Sequence, residues 1–389
     1  MIRMRLCRRC RWKGKIIKMR LCNCCLDELK NQIKGQRVVL FGIGQYFELD
    51  MKEIISEEIL KAVVYAVDNS RCNSKLQILD NEIPIYHPQK LQEEKNCIIL
   101  LSSSNHMYEM YQQLQSMNLC DGIRCYAFPL VMANNVGKSD IQVKEYIEKS
   151  ENNPQIEKVI HCFWFSGEKK PETYQKCIDS WKRFCPDYKI LEWNMDNYDY
   201  AKHPFMKKAI KEKKWAFASD YARLDVIYHQ GGIYLDMDME LLHSLNSLLG
   251  CEAFFTFDTQ NDIDLAAFAA KPKNLLIMKL MEFYDNVEFS VDMMSQFCQP
   301  RYIRPVLKKA GLVLNGNMQR IDNMVFLPKH YFMPQNSIMY QCSELSDETI
   351  AIHRHNGGWL DQDYRMQKNI DNKRFWDLVE KDGIRQVGD

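Results

Sequence analysis

The clearest period-two pattern in the 389-residue chain is GGIYLDMDME, Gly231 to Glu240. Ile233, Leu235, Met237 and Met239 fall on one side, and Tyr234, Asp236, Asp238 and Glu240 on the other. The alternation predicts a β-strand with an apolar face and three carboxylates about 7 Å apart on the opposite face. An edge strand showing its polar face to water would satisfy that pattern. In a partly buried cleft, however, one carboxylate must stay protonated unless a cation neutralises the group. A hard divalent ion with oxygen ligands would resolve the conflict and could bridge to phosphate oxygens.

The residues before this strand alternate with helical spacing. Phe217, Tyr221, Leu224 and Tyr228 recur at i, i+4, i+7 and i+11, which predicts a helix packed on a sheet. Gly231-Gly232 then supplies a left-handed cap and the turn into the strand. Asp220 falls on the edge of the apolar stripe and Arg223 beyond it, three residues apart and so neighbours. Read alone they are a surface ion pair; feeding into the acidic strand, both can reach one cleft. Further upstream, Val159 to Phe165 reads as a strand closed by Ser166-Gly167. Tyr174, Cys177, Ile178 and Trp181 read as a helix that Pro186 stops, and YKILEW as a second strand. Trp164 lies at a strand's carboxyl end, where it either packs in the core or stacks on a base.

The first third of the chain has its own pattern. RVVLFGIGQYF is a buried-looking strand running into Gly42 and Gly44, AVVYAVD is a second strand ending at Asp68, and CIILLSSS is a third. Strand, glycine turn, helix, strand and acid is the order of a dinucleotide-binding unit, although Phe47 replaces the third glycine of the fingerprint. The sequence thus divides into a basic leader (1–34), a small Rossmann-like α/β domain (35–135), a polar linker (136–153) and a large α/β domain (154–389).

Composition narrows the class. Net charge is +1, with 46% hydrophobic and 26% charged residues, so no global field points to nucleic acid. No apolar run approaches the length of a membrane span, and the N-terminus lacks the apolar core of a secretory signal. Fifteen dispersed cysteines fit reduced thiols and a cytoplasmic protein. Residues 1–20 hold nine Lys or Arg and no acid, a candidate peripheral contact with the inner face of a membrane. Cys7-x-x-Cys10 and Cys22-x-x-Cys25 have the spacing of a structural Zn2+ site, against the plainer reading of reduced thiols in a basic segment.

The run from VIHCFWFSG through SWKRFCPDYKILEWN to WAFASDYARLDVIYHQGGIYLDMDME resembles glycosyltransferase family 32, which includes capsular-polysaccharide transferases and is distantly similar to the glucosylating domains of clostridial toxins. The resemblance implies a GT-A fold, a nucleotide-sugar donor (a UDP-sugar favoured), Mn2+ or Mg2+, and retention at the anomeric carbon. It would place Trp164 on the base, with Asn194 and Tyr234 bordering the donor. Asp220 and Arg223 would hold sugar and phosphate, Asp236 would contact the donor, and Asp238 would ligate the metal. The late AIHRHNGGWL would add His353 and Asn356 to the metal site with Trp359 nearby, although Gly358 replaces the family's usual hydroxyl residue. Asp264 lies where such enzymes approach the acceptor, and Glu240 reads as plain surface.

The expected activity is transfer of a sugar to a glycan or lipid-linked acceptor in surface polysaccharide synthesis. Two alternatives remain at this point. One is toxin-like modification of a protein acceptor; the other is an NAD-linked oxidoreductase run by the Gly42–Asp68 unit.

Overall fold

The strands that the apolar runs predict fall into two large sheets of a computed structural model, one in each of two units. The units are Met1–Asn135 with Asp363–Asp389, and Val136–Gln362. The structure describes residues 11–12, 15–16, 19–120, 122–134, 137–259, 261–334, 345–356, 362–382 and 384–385. The α/β class expected from the sequence is the class observed.

In the first unit the fully buried strand Val38–Phe41 lies between Val63–Val67 and Cys97–Leu101, parallel to both. Ile123–Ala127 continues the sheet beyond Cys97–Leu101, again in parallel. The glycine turn after Val38–Phe41 is closed by its own surroundings. Ile43 N–H donates to Asp68 at 2.8 Å, and the Ser102 hydroxyl donates to the carbonyls of Phe41 and Gly42. Asp68 also accepts from the backbone of Ser70 and Arg71. Burial pushes its carboxyl up, but these three N–H donors outweigh that and hold it below the usual range. The acid expected near a ribose thus organises the turn itself, and a Cβ on Gly42 would meet Met110 Cε at 2.8 Å.

Three boundaries differ from the sequence reading. Residues 1–34 are not all a separate leader: Arg20–Asn23 is a strand of this sheet, and helix Leu26–Ile33 buries Leu26, Leu29 and Ile33. The stretch read as a linker contains helix Ile141–Ser150, capped by Asp140, with Val143 and Ile147 buried in the second unit's core. Near the end, helix Gln362–Asp382 runs into the first unit, and Ile384–Arg385 pairs with Arg20–Asn23. Each of these elements carries apolar residues at helical or strand spacing that its many charges obscured. Cys7 and Cys10 lie outside the described residues. Cys22 is on the strand and Cys25 caps the helix that follows.

In the second unit, Lys189–Trp193, Val159–Phe163 and Gly232–Leu235 are parallel neighbours. Ile263–Ala270 runs against Gly232–Leu235 on one side and Ala253–Phe257 on the other. Ala253–Phe257 therefore points with the first three strands, and Met324–Leu327 follows it in parallel. Helix Trp215–Gln230 buries Phe217, Tyr221 and Leu224 as the stripe predicts, and Arg223 and Asp225 as well. Among the described residues, no helix is long and apolar enough to cross a membrane.

The glycine pair joining that helix to the central strand is required on two grounds. Gly231 has φ +70° and ψ −165°, a region essentially confined to glycine rather than the left-handed helical cap expected. At Gly232 (φ +95°) a Cβ would lie 2.8 Å from the carbonyl oxygen of Val159. Gly232→Ala is therefore expected to cost about 3 kcal/mol, from strain plus a backbone clash, measured by urea denaturation.

His161 packs against the same turn, with Nε2 3.0 Å from the Gly231 carbonyl and Nδ1 accepting from Trp193 Nε1 at 3.0 Å. Burial pushes its pKa from 6.5 down to about 4. Below pH 6.5 the unfolded chain takes up a proton that the folded chain refuses, so stability falls as pH drops from 6.5 to 4. The expected loss over that window is about 3 kcal/mol, at 1.36 kcal/mol per unit. His161→Gln should flatten the acid limb of a plot of Tm against pH.

Candidate active site

The strand predicted from Gly231 to Glu240 stops at Leu235. Asp236 to Asp238 form a turn closed by Met239 N–H donating to the Asp236 carbonyl at 3.0 Å, and a second strand, Met239–Leu241, begins there. The three carboxylates consequently do not share one strand face. The turn relieves the repulsion that such a face would carry and lets each acid meet a different partner.

Asp238 meets a segment from far along the chain. Strand Ala351–His353 pairs antiparallel with Met239–Leu241, His353 opposite Met239. This brings His353 Nε2 to 3.3 Å from Asp238 Oδ1, while the Asn356 N–H donates to Oδ2 at 2.8 Å. Burial pushes the Asp238 carboxyl up, but His353 and the Asn356 N–H outweigh it and hold it at about 2. The same pairing holds His353 at about 10 against the opposing effect of burial. Helix Glu172–Phe184 braces the arrangement, since Trp181 Nε1 donates to the Met239 carbonyl and Ser180 Oγ accepts from Leu241 N–H.

Asp236 turns the other way. It accepts from the Tyr234 hydroxyl and lies 3.4 Å from Arg223 Nη2, which is also 3.1 Å from Asp220 Oδ1. Arg223 is 5% exposed, far from the helix-surface position its spacing implied. Its Nε donates to the Ser219 carbonyl, Nη1 to the Leu265 carbonyl and Nη2 to the Ser219 hydroxyl. The guanidinium carbon lies 4.6 Å from the centre of the Tyr234 ring. With the two carboxylates, five acceptors face the guanidinium, three of them at Nη2. Burial raises the Asp220 carboxyl to about 7, with Arg223 opposing, and burial likewise raises Asp236.

Oxygen atoms of Asp236 and Asp238 and a ring nitrogen of His353 all lie within 4.8 Å of one another. Two carboxylates and one imidazole, with Asp236 still partly open to solvent, match the oxygen-rich donor set that a divalent Mn2+ or Mg2+ takes. The repulsion between the two acids is met here by the His353 proton and Arg223, and a bound cation would take over that part.

The remaining expected residues have other placements. Trp164 lies at the carboxyl end of Val159–Phe163, its edge against Tyr174 and its Nε1 donating to the Glu168 carbonyl. Asn194 shapes its own turn, its side-chain Oδ1 accepting from the Asp196 and Asn197 N–H groups. Asn356 reaches Asp238 through its backbone. Gly358 and Trp359 lie outside the described residues. Glu240, read as plain surface, pairs with Arg354 and fastens the two short strands further. Asp264 Oδ2 is 3.7 Å from His353 Nδ1.

One group escaped the sequence reading. Asp258 follows the apolar strand Ala253–Phe257 as Asp236 follows Gly232–Leu235, and lies on the same edge of the sheet. Burial and Asp264 raise its carboxyl to about 7, opposed by His353 and Lys329. An acid closing an apolar run was the signal available.

Part of the chain is similar to known proteins. Residues 171–255 match the family described as a glycosyltransferase sugar-binding region containing a DXD motif, a span that includes Asp220, Arg223, Asp236 and Asp238. The match covers this part of the chain, residues 171–255, and not the rest. The chain is 28% identical over 169 residues to the mannosyl phosphorylinositol ceramide synthase SUR1 of Saccharomyces cerevisiae, covering 39% of this chain and 43% of that protein. It is 32% identical over 107 residues to the uncharacterized glycosyltransferase L373 of Acanthamoeba polyphaga mimivirus, covering 26% and 43%. The matches therefore span less than half the length of either relative. Among solved structures, the PaToxG glycosyltransferase matches with a TM-score of 0.35 and 20% identity over 43% of this chain and 75% of that one.

Proposed function

We propose that this chain is a metal-dependent retaining glycosyltransferase with a GT-A-type second unit, moving a hexosyl group from a nucleotide sugar to a glycan or lipid-linked acceptor. The observation that carries this reading is the convergence of Asp236, Asp238 and His353, from segments more than a hundred residues apart, beyond the carboxyl end of the strand Gly232–Leu235, which pairs in parallel with Val159–Phe163. That edge is where open α/β sheets bind their ligands.

In this account Asp238 and His353 would hold the ion, with Asp236 beside them, and the Asn356 N–H fixes the second oxygen of Asp238. When bound, the cation neutralises charge on the departing pyrophosphate. Arg223 orients Asp220 and Asp236 and opposes the effect of burial on both, so that Asp220 can pair with a sugar hydroxyl. Trp164, one strand away, offers a face for the base. Retention would let the departing phosphate take the acceptor's proton, so no protein base is needed.

The ceramide synthase relative is named for a mannosylated lipid, which supports a mannosyl donor and a lipid-linked acceptor beside the UDP-sugar and surface polysaccharide favoured from the sequence. Work at the cytoplasmic face of a membrane fits the basic N-terminus. The test is release of nucleoside diphosphate by the pure chain from a panel of UDP- and GDP-sugars. Manganese-dependent release from at least one donor is expected; no release from any, with or without manganese, would end the reading.

A further inference from the structure

The helix that carries Asp220 and Arg223 is entered through a strongly basic stretch. Helix Pro204–Lys211 and the turn after it hold Lys207, Lys208, Lys211, Lys213 and Lys214 against one acid, Glu212. The helix buries Phe205, Met206, Ala209 and Ile210 and leaves Lys207 and Lys211, four residues apart, in solvent. Lys208 pairs with Glu288. Among the described residues, no acid lies within ion-pairing distance of Lys207, Lys211, Lys213 or Lys214. Like charges at that helical spacing repel one another unless something anionic meets them. Lys213 carries a further cost. Where Lys214 N–H closes on the Ala209 carbonyl at 2.8 Å, Lys213 takes a left-handed backbone with φ +54°, a position that suits glycine.

This stretch lies on the edge of the sheet that holds the acids. Helix Trp215–Gln230 ends at the turn into Gly232–Leu235, so its start stands toward the carboxyl end of that strand, where Arg223 reaches Asp236. Lys214 precedes Asp220 by six residues, about 9 Å along a helix axis. Apolar side chains that the core does not take up lie beside the lysines. Phe289 packs on Phe205 at 5.4 Å and on Phe217 at 5.5 Å, and Phe297 packs on Phe205 at 5.4 Å. Between these two anchors Val291 and Met293 are 39% and 41% exposed. The Lys208–Glu288 pair ties the same segment to the basic helix. Glu212 and Asp292 are exposed acids on this surface, and the four lysines outnumber them.

A soluble polyanion would satisfy the lysines and offer Val291 and Met293 nothing. A bilayer surface takes both, with ammonium groups among the phosphates and apolar side chains at the acyl boundary. We propose that Lys207, Lys211, Lys213 and Lys214, with Val291 and Met293, form a docking face for a membrane rich in anionic phospholipid, which sets the Asp220 end of the cleft toward that membrane. The face is separate from the basic run in residues 1–20. It deepens the lipid-linked acceptor of the transferase reading, but the binding itself is measured without turnover.

The test is co-sedimentation of the full-length chain with vesicles of phosphatidylcholine mixed with phosphatidylglycerol, beside vesicles of phosphatidylcholine alone. The parent is expected to bind the mixed vesicles and not the neutral ones. Combining Lys207→Gln, Lys211→Gln and Lys214→Gln should weaken that binding by about tenfold or more, since each charge near an anionic surface is worth about fivefold. Lys213→Gly should weaken it by about fivefold while raising Tm, because glycine relieves the left-handed strain, so a damaged fold cannot explain the loss. Val291→Ser with Met293→Ser should weaken vesicle binding and leave retention on heparin unchanged. A triple lysine variant that binds like the parent would overturn the proposal and assign the binding elsewhere. Loss of heparin and vesicle binding together, with no effect of the Val291 and Met293 changes, would make the surface one for a soluble polyanion and overturn it equally. A parent that ignores both vesicles would do the same. Release of nucleoside diphosphate from a soluble nucleotide sugar should be unchanged in every variant, and its absence in the parent would end the transferase reading while leaving the vesicle result standing.

Discussion

Asp238→Asn is expected to lower manganese-dependent turnover by about a hundred- to a thousandfold, the scale on which one precisely placed electrostatic group acts. The change is nearly isosteric, and the amide oxygen can still accept from Asn356 N–H. What disappears is the charge that holds His353 at about 10. The site then loses the anionic ligand best aligned with His353, and a neutral amide is a poor partner for a divalent ion. The fold should persist, because the two apolar layers flanking the sheet do not depend on this side chain. Paired measurements of turnover and of the manganese-induced rise in Tm test this. A variant that keeps the Tm rise and the activity would remove Asp238 from the metal site.

Arg223→Lys is expected to cost both stability and activity, although the charge is retained. Arginine's planar fork faces five acceptors here, and an ammonium on a flexible stem has only three donors. The substitution leaves the buried carbonyls of Ser219 or Leu265 without their donors, at roughly 1–3 kcal/mol for each unsatisfied group. It also loosens Asp236 and Asp220, and displacement of site groups by about 1 Å can cost a hundredfold in rate. Urea denaturation and turnover should therefore fall together. Full stability with lowered turnover would mean that Arg223 acts on the donor directly and not through the two acids.

How much of this was legible in the sequence depends on the range of the interaction. Short-range patterns read well: the stripe Phe217, Tyr221, Leu224 is buried, and the glycine pair makes the turn. The order Asp220, Arg223, Asp236, Asp238 named a set that the structure does bring together. The break at Asp236 was not legible, because Met237 and Met239 continue the period of two through the turn and are buried on both sides of it. Nor was the burial of Arg223, since a helical wheel cannot register the carbonyl of Leu265 arriving from the antiparallel strand. His353 entered by resemblance alone; its reach to Asp238 depends on the pairing of Met239–Leu241 with Ala351–His353, a contact across more than a hundred residues. Charge misled the domain boundaries, where lysine-rich helices such as Ile141–Ser150 hide two buried residues each turn-and-a-bit apart.

The central claim is that the Asp236–Asp238 turn and His353 form one metal–pyrophosphate site. Titration of manganese into the full chain, with and without UDP or GDP, tests it most directly in the parent, Asp238→Asn and His353→Ala proteins. The account predicts manganese binding in the parent that tightens when the right diphosphate is present, and loss of both the binding and the coupling in each variant. Diphosphate binding that is indifferent to manganese, or manganese binding unchanged by both substitutions, would contradict it.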